Sequence, residues 1–139
     1  MLTWKINEEK DYRKIREEVF IKEQGFQEEF DEIDQYATHI TLYVNQEVIG
    51  CGRVFSSSLS STSYTLGRLA ILKAYRAQGY GETLVKLLEE QVKKLGGKEI
   101  ILHAQVRAIP FYEKLGYEKC SEIEMEEHVP HMYMKKAIL

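Results

Sequence analysis

The segment spanning residues 64–102 constrains the fold more than any other part of the chain. It reads as strand, glycine turn, helix, strand. Residues 64–71 form the first strand. Residues 79–95 form the clearest helix, with Leu84, Leu87, Leu88, Val92 and Leu95 as its apolar stripe and Gly96-Gly97 as its end. Ile100, Ile101 and Leu102 then make a short buried strand. A helix crossing between two strands of one sheet requires those strands to be parallel.

The rest of the chain supplies a meander around this unit. Leu2, Trp4 and Ile6 alternate with polar residues as a short strand, and Asn7 is positioned to cap a helix. Tyr12, Ile15 and Val19 share one helical face, which Phe20 widens. Residues 22–36 read as a loop or broken helix crowded with Glu23, Glu28, Glu29, Asp31, Glu32 and Asp34. Residues 37–44 and 48–56 form strands joined by Asn45-Gln46-Glu47, and the Ser-rich run 56–63 reads as a second hairpin loop. A shorter helix over 107–115 carries Pro110 in its first turn and Gly116 as its cap. Residues 117–119 and 125–138 close the sheet as two strands. No internal repeat appears, and the whole chain, residues 1–139, is expected to form one domain.

Charge and composition exclude several functions. The net charge is −3, and no Lys/Arg cluster offers the footprint of a nucleic-acid binder. Cys51 and Cys120 form no CxxC pair, so free thiols in a reducing compartment are expected. His128 and His131 would face opposite sides of a strand, with no acid or Cys at matching spacing, so no metal is expected. No apolar run is long enough to cross a membrane, and a cytoplasmic location is the default.

The chemistry concentrates in Arg76-Ala77-Gln78-Gly79-Tyr80-Gly81-Glu82-Thr83. Its glycines admit positive φ and a close ligand, and the helix start offers unpaired N–H groups and a positive dipole end. These suit an anionic phosphate, to which Arg76 and Thr83 could add hydrogen bonds. A nucleotide P-loop requires Lys and then Ser/Thr after its last glycine, and Glu82 occupies that place. A dinucleotide fingerprint requires a third small residue where Leu84 stands. The same glycines would also serve a plain helix cap with no ligand.

Arg76-x-x-Gly79-x-Gly81 resembles the acetyl-CoA signature of the GNAT family of N-acetyltransferases. Phe111-Tyr112-Glu113-Lys114-Leu115-Gly116-Tyr117 resembles that family's second signature, in the expected order. The resemblance implies a mixed α/β fold: a mostly antiparallel sheet of about six to seven strands with a splayed parallel pair, flanked by about four helices. It implies that acetyl-CoA is a co-substrate. Its pantetheine arm would lie along Leu69, Ala70 and Ile71, and its pyrophosphate on residues Arg76 to Thr83 as written above. Pro110, Phe111 and Tyr112 would complete the site, with Gln105 where many relatives carry Asn. Tyr112 would be the general acid toward the CoA thiolate.

The acceptor would be a small-molecule or peptide primary amine, which must lose a proton to a base. Arg16-Glu17-Glu18-Val19-Phe20-Ile21-Lys22-Glu23-Gln24, then Glu29-x-Asp31-x-x-Asp34 and the tail Val129-Pro130-His131-Met132-x-Met134, resemble the small bacterial ElaA-like branch of the family. Glu23 and His131 are expected to face the acceptor; Glu29, Asp31, Asp34 and His39 are further candidates. The crowded acids suggest a cationic acceptor. Relatives suggest a homodimer. Two alternatives are an acyl-homoserine-lactone-type synthase, whose early pattern Arg16, Phe20, Glu29, Asp31 and Asp34 resembles, and an acetyl-CoA-binding module without catalysis.

Overall fold

The computed structural model describes residues 1–27, 29–58 and 62–138. Its strands are β1 (Leu2–Ile6), β2 (Thr38–Val44), β3 (Glu47–Ser56), β4 (Ser63–Ile71), β5 (Glu99–Gln105), β6 (Glu118–Lys119), β7 (Glu124–Glu126) and β8 (Val129–Ala137). Its α-helices are α1 (Glu9–Arg16), α2 (Tyr80–Lys94) and α3 (Ile109–Lys114). The eight strands form one sheet in the order β1-β2-β3-β4-β5-β8-β6, with β7 paired to β8. Every pairing is antiparallel except β4 with β5, as a crossover helix requires.

Several boundaries differ from the sequence reading. Residues 125–138 are a hairpin rather than one strand: β7 and β8 turn at Glu127 and His128. With the very short β6 this raises the strands to eight. The described helices are three α-helices, and α1 runs on as a π-helix, Glu17–Glu23. Glu8, not Asn7, caps α1; Asn7 has positive φ, and its Oδ1 accepts the His39 N–H at 2.9 Å. Val85 is fully buried on α2, while Leu95 is 47% exposed because it lies at the helix end, beyond the sheet. Part of the Ser-rich loop, residues 59–61, lies outside the described residues.

The sheet separates two apolar layers. On one face α2 and α3 set Leu84, Val85, Leu88, Val92 and Tyr112 against Ile40, Leu42, Ile49, Leu66 and Leu102. On the other, Tyr12, Ile15, Val19 and Phe20 pack on Tyr43, Val48, Cys51 and Ala70. Strand alternation explains the division: Ile40 and Leu42 face one layer, Tyr43 the other. The wider π-helical turn carries both Val19 and Phe20 to the sheet.

Glu29, Asp31 and Asp34 are not solvated loop acids but partners of buried guanidinium groups. Arg16, 1% exposed, donates Nε to Glu29 Oε2 at 2.8 Å and Nη1 to Asp34 Oδ1 at 2.6 Å. Arg53 bonds Asp31 and Asp34 at 2.7 and 2.8 Å, and Arg68 Nε lies 2.9 Å from Glu29 Oε2. Three guanidinium groups therefore neutralise three carboxylates. Three of the six crowded acids therefore carry no net field toward the cleft; Glu28 lies outside the described residues. Burial pushes the Glu29 carboxyl up, against the pull of Arg68 and Arg16. Burial also opposes ionisation of Asp34, but the hydrogen bond and charge of Arg16 win and hold it at about 2.

Breaking this network strands buried charge. Arg16→Met should destabilise the fold by about 3–5 kcal/mol in urea unfolding; a loss below about 1 kcal/mol would mark the pairs as ordinary surface bridges. Asp34 has a depressed pKa, so its stabilisation is present above the unfolded value and lost as pH falls from 3.8 toward about 2. Melting temperature against pH should fall more steeply over that window in the wild type than in Asp34→Asn.

Candidate active site

β4 and β5 pair only from Ser63↔Glu99 to Leu66↔Leu102, yet β4 runs on to Ile71 and β5 to Gln105. Beyond Leu66 the two strands part, and their facing backbone groups have no strand partner. The separation begins at a β-bulge. Cys51 pairs with Ala70 but Arg53 with Gly67, which places one extra residue on β4. Arg68 sits there with φ of 52°, a left-handed conformation that its ion pairs with Glu29 and Asp31 help hold.

A cleft of about 830 Å³ occupies the gap. Leu69, Ala70 and Ile71 line it, as do Arg76, Ala77, Gly79, Gly81 and Glu82, and then Gln105, Phe111, Tyr112 and His131. The structure thus brings most of the expected site residues to one place. Gly79 begins α2 with φ of 87°, and a Cβ added there would meet no atom within 4 Å, so the turn is open to a ligand. The first helical bond runs from Thr83 N–H to Gly79 C=O at 3.1 Å, leaving the N–H groups of Tyr80, Gly81 and Glu82 without helical acceptors. Gly81 has a different task. A Cβ there would stand 3.2 Å from Phe111 Cζ, so the glycine lets α3 approach the start of α2.

Other expected residues are placed differently. Glu23 does not line the cleft; it grips Arg76 with two hydrogen bonds of 2.6 and 2.7 Å. That bond holds the Glu23 carboxyl below the usual range, which suits a fixed anion better than a proton acceptor. Arg76 Nε also donates to Ile71 C=O at 2.8 Å, tying the turn to the end of β4. Gln78, Tyr80, Thr83 and Pro110 lie outside the lining. The Thr83 hydroxyl donates to Gly79 C=O, and Gln78 Nε2 to Ala74 C=O. His39 is buried under Tyr12, its rings stacked at 3.9 Å, and donates Nε2–H to Asp34 C=O. Its burial lowers its pKa.

Tyr112 is 8% exposed and packs edge-on against Phe111 and Tyr117. Among the described residues no hydrogen bond engages its hydroxyl. Burial alone pushes its pKa well above 10, so it stays protonated and can act only as a proton donor near neutral pH. Gln105 Nε2 donates to Gln24 Oε1, and its Oε1 accepts from Arg107, both at 2.8 Å. It therefore bridges two walls of the cleft. The sequence reading missed Phe26, Arg53, Arg68, His103, Glu126 and Tyr133, all of which line the cleft. Strand register alone could have found His103, since it pairs with Tyr133, two residues from His131.

A parallel pair that parts around a glycine turn and a buried tyrosine defines the acyl-CoA transferase type of fold. The family model described as acetyltransferase (GNAT) domain matches residues 8–138, and the chain belongs to that family. It is 38% identical over 135 residues to the uncharacterized N-acetyltransferase YjcF of Bacillus subtilis, covering 94% of each chain. It is 26% identical over 129 residues to protein ElaA of Escherichia coli, covering 90% of this chain and 84% of that one. The crystal structure of Escherichia coli ElaA superposes with a TM-score of 0.88 over 98% of this chain and 99% of that chain, at 23% sequence identity. An aminoglycoside 6'-N-acetyltransferase complexed with coenzyme A shares the fold, with a TM-score of 0.72 at 17% identity over 92% of this chain and 91% of that one. No helix among the described residues is long and apolar enough to cross a membrane.

Proposed function

We propose that the whole chain acts as one acetyl-CoA-dependent N-acetyltransferase domain, moving the acetyl group to a primary amine by direct attack in a ternary complex. One observation carries this reading: the unpaired end of β4, the open turn at Gly79 and the protonated Tyr112 all face a single cleft. The turn and the start of α2 would hold the pyrophosphate through the N–H groups of Tyr80, Gly81 and Glu82. The edge of Leu69, Ala70 and Ile71 would bind the pantetheine arm, and one of its N–H groups would polarise the thioester carbonyl. Tyr112 would protonate the departing thiolate. Ala77 lines the cleft at the pyrophosphate turn and Gln105 lines it from the end of β5, while Phe111 fixes α3 beneath the turn.

Glu23 takes a different role in this reading. It pre-positions Arg76 and competes with the pyrophosphate for its guanidinium group. No observation favours the synthase reading, because Arg16, Glu29, Asp31 and Asp34 are engaged with one another and with Arg53 and Arg68. Binding without turnover would favour the module without catalysis.

Calorimetry with acetyl-CoA should show binding by the wild type and none by a folded Arg76→Ala plus Gly79→Asp variant; a wild type that does not bind would overturn the reading. With spermidine, glucosamine or Nα-acetyl-lysine as acceptor, Tyr112→Phe should keep acetyl-CoA affinity and lose about 10²–10⁴-fold in kcat. Glu23→Gln should bind acetyl-CoA more tightly with the acceptor KM unchanged. A rise in acceptor KM with unchanged acetyl-CoA affinity would return Glu23 to the acceptor side.

A further inference from the structure

The roles above leave one cluster at the acceptor end of the cleft unexplained. Gln105 pairs with His131, and His103 with Tyr133, so these four residues share one face of β5 and β8. The His103 ring lies 4.7 Å from that of His131 and 4.4 Å from that of Tyr133. The β7–β8 hairpin brings two carboxylates over the rings. His103 Nδ1–H donates to Glu126 Oε1 at 3.1 Å, and Glu126 Oε2 is 3.8 Å from His131 Nε2. Glu124 Oε1 lies 3.1 Å from His103 Nε2, off the N–H direction, as an ion contact rather than an aligned hydrogen bond.

The tautomer of His131 follows from its partner. Nδ1 lies 2.9 Å from the Val129 carbonyl, which can only accept. Nδ1 therefore carries a proton, which leaves Nε2 as the nitrogen that gains or gives up a second one on the Glu126 side. His131 is 4% exposed and lines the cleft, whereas the Glu126 side chain is 46% exposed. The cluster thus runs from a buried basic nitrogen to a carboxylate in contact with water.

We propose that His131 Nε2 takes a proton from the acceptor ammonium and that Glu126, held in place by His103, passes it to solvent. The inference rests on the transferase reading. The proton count requires such an exit. An alkylammonium acceptor sheds two N–H protons on becoming an amide: one goes to solvent, and one ends on the CoA sulfur, where Tyr112 delivers it. The N–C bond forms as the C–S bond breaks, so no oxidant or further reactant enters. Each other charged group near the relay has a place. Glu124 meets His103, and His128 in the turn donates to Gln24 C=O. Arg107 is held by Gln105, and Arg68 by Glu29 and Asp31. A small movement of the half-exposed Glu126 side chain would bring the 3.8 Å contact to hydrogen-bond distance.

Two nucleophiles test the relay. A basic amine from the panel above must be deprotonated, whereas hydroxylamine is already largely neutral at neutral pH. His131→Gln and Glu126→Gln should cut kcat for the basic amine by about 10²-fold or more and move the acid limb of its pH profile, with a far smaller loss for hydroxylamine. His103→Gln should move the same limb with acceptor KM unchanged. Parallel losses with both nucleophiles, or an unmoved profile in Glu126→Gln, would overturn the relay. A second arm needs no turnover. In imidazole NMR the His103 Nδ1–H, held by Glu126 Oε1, should give a slowly exchanging proton signal that is lost in Glu126→Gln; the same signal in wild type and variant would overturn the relay. If acetyl-CoA binds but neither nucleophile is acetylated, the transferase reading fails and the relay with it, while the NMR arm separately decides whether Glu126 holds His103.

Discussion

Beyond Leu66 the parallel pairing of β4 with β5 stops, and what the molecule offers a ligand follows from that parting. Backbone donors and acceptors inside a fold are costly to leave unmatched. Here they face a cleft instead of a neighbouring strand. The bulge at Arg68 turns β4 away from β5, and Arg76 closes the far end by bonding Ile71 C=O. The crossover helix starts beside the gap because a βαβ connection must leave from the end of its first strand. A strand edge, a helix N-terminus and a buried tyrosine thus converge through topology, with no long loop needed to assemble them.

The opposite wall is held by charge. Arg16 lies almost wholly buried beneath the 29–34 segment, and its bonds to Glu29 and Asp34 fix a stretch that contains only a short 3₁₀ turn. Arg53 and Arg68 extend this network from β3 and β4 to the cleft, so the bulge and the 29–34 segment are tied together. Because the charges balance, the wall gives rigidity without a strong field. Phe20, Phe26 and the histidines of β5 and β8 line the same cleft.

How much of this could be read in advance varied with the kind of signal. The crossover unit, the parallel pair and the glycine turn at the start of α2 were legible because they depend on local pattern: an apolar helical stripe, glycines at a helix start and a second signature on α3. The fates of Glu29, Asp31 and Asp34 were not legible, because an acid in a loop looks the same whether water or a distant guanidinium faces it. Arg16, Arg53 and Arg68 lie far from those acids in the chain, and only the fold joins them. His103 was missed for a related reason: it stands in an apolar strand, and its meaning comes from register with Tyr133 and from a hairpin that had been read as one strand. Glu23 was found, but in contact with Arg76 and outside the cleft lining.

Amide hydrogen exchange with and without acetyl-CoA tests the central claim most directly. The account predicts new protection at Leu69 and Ile71, whose N–H groups point away from β3, and at Tyr80, Gly81 and Glu82, with β1 and β2 unchanged. Binding that leaves those amides unprotected, or protects a different edge of the sheet, would contradict it.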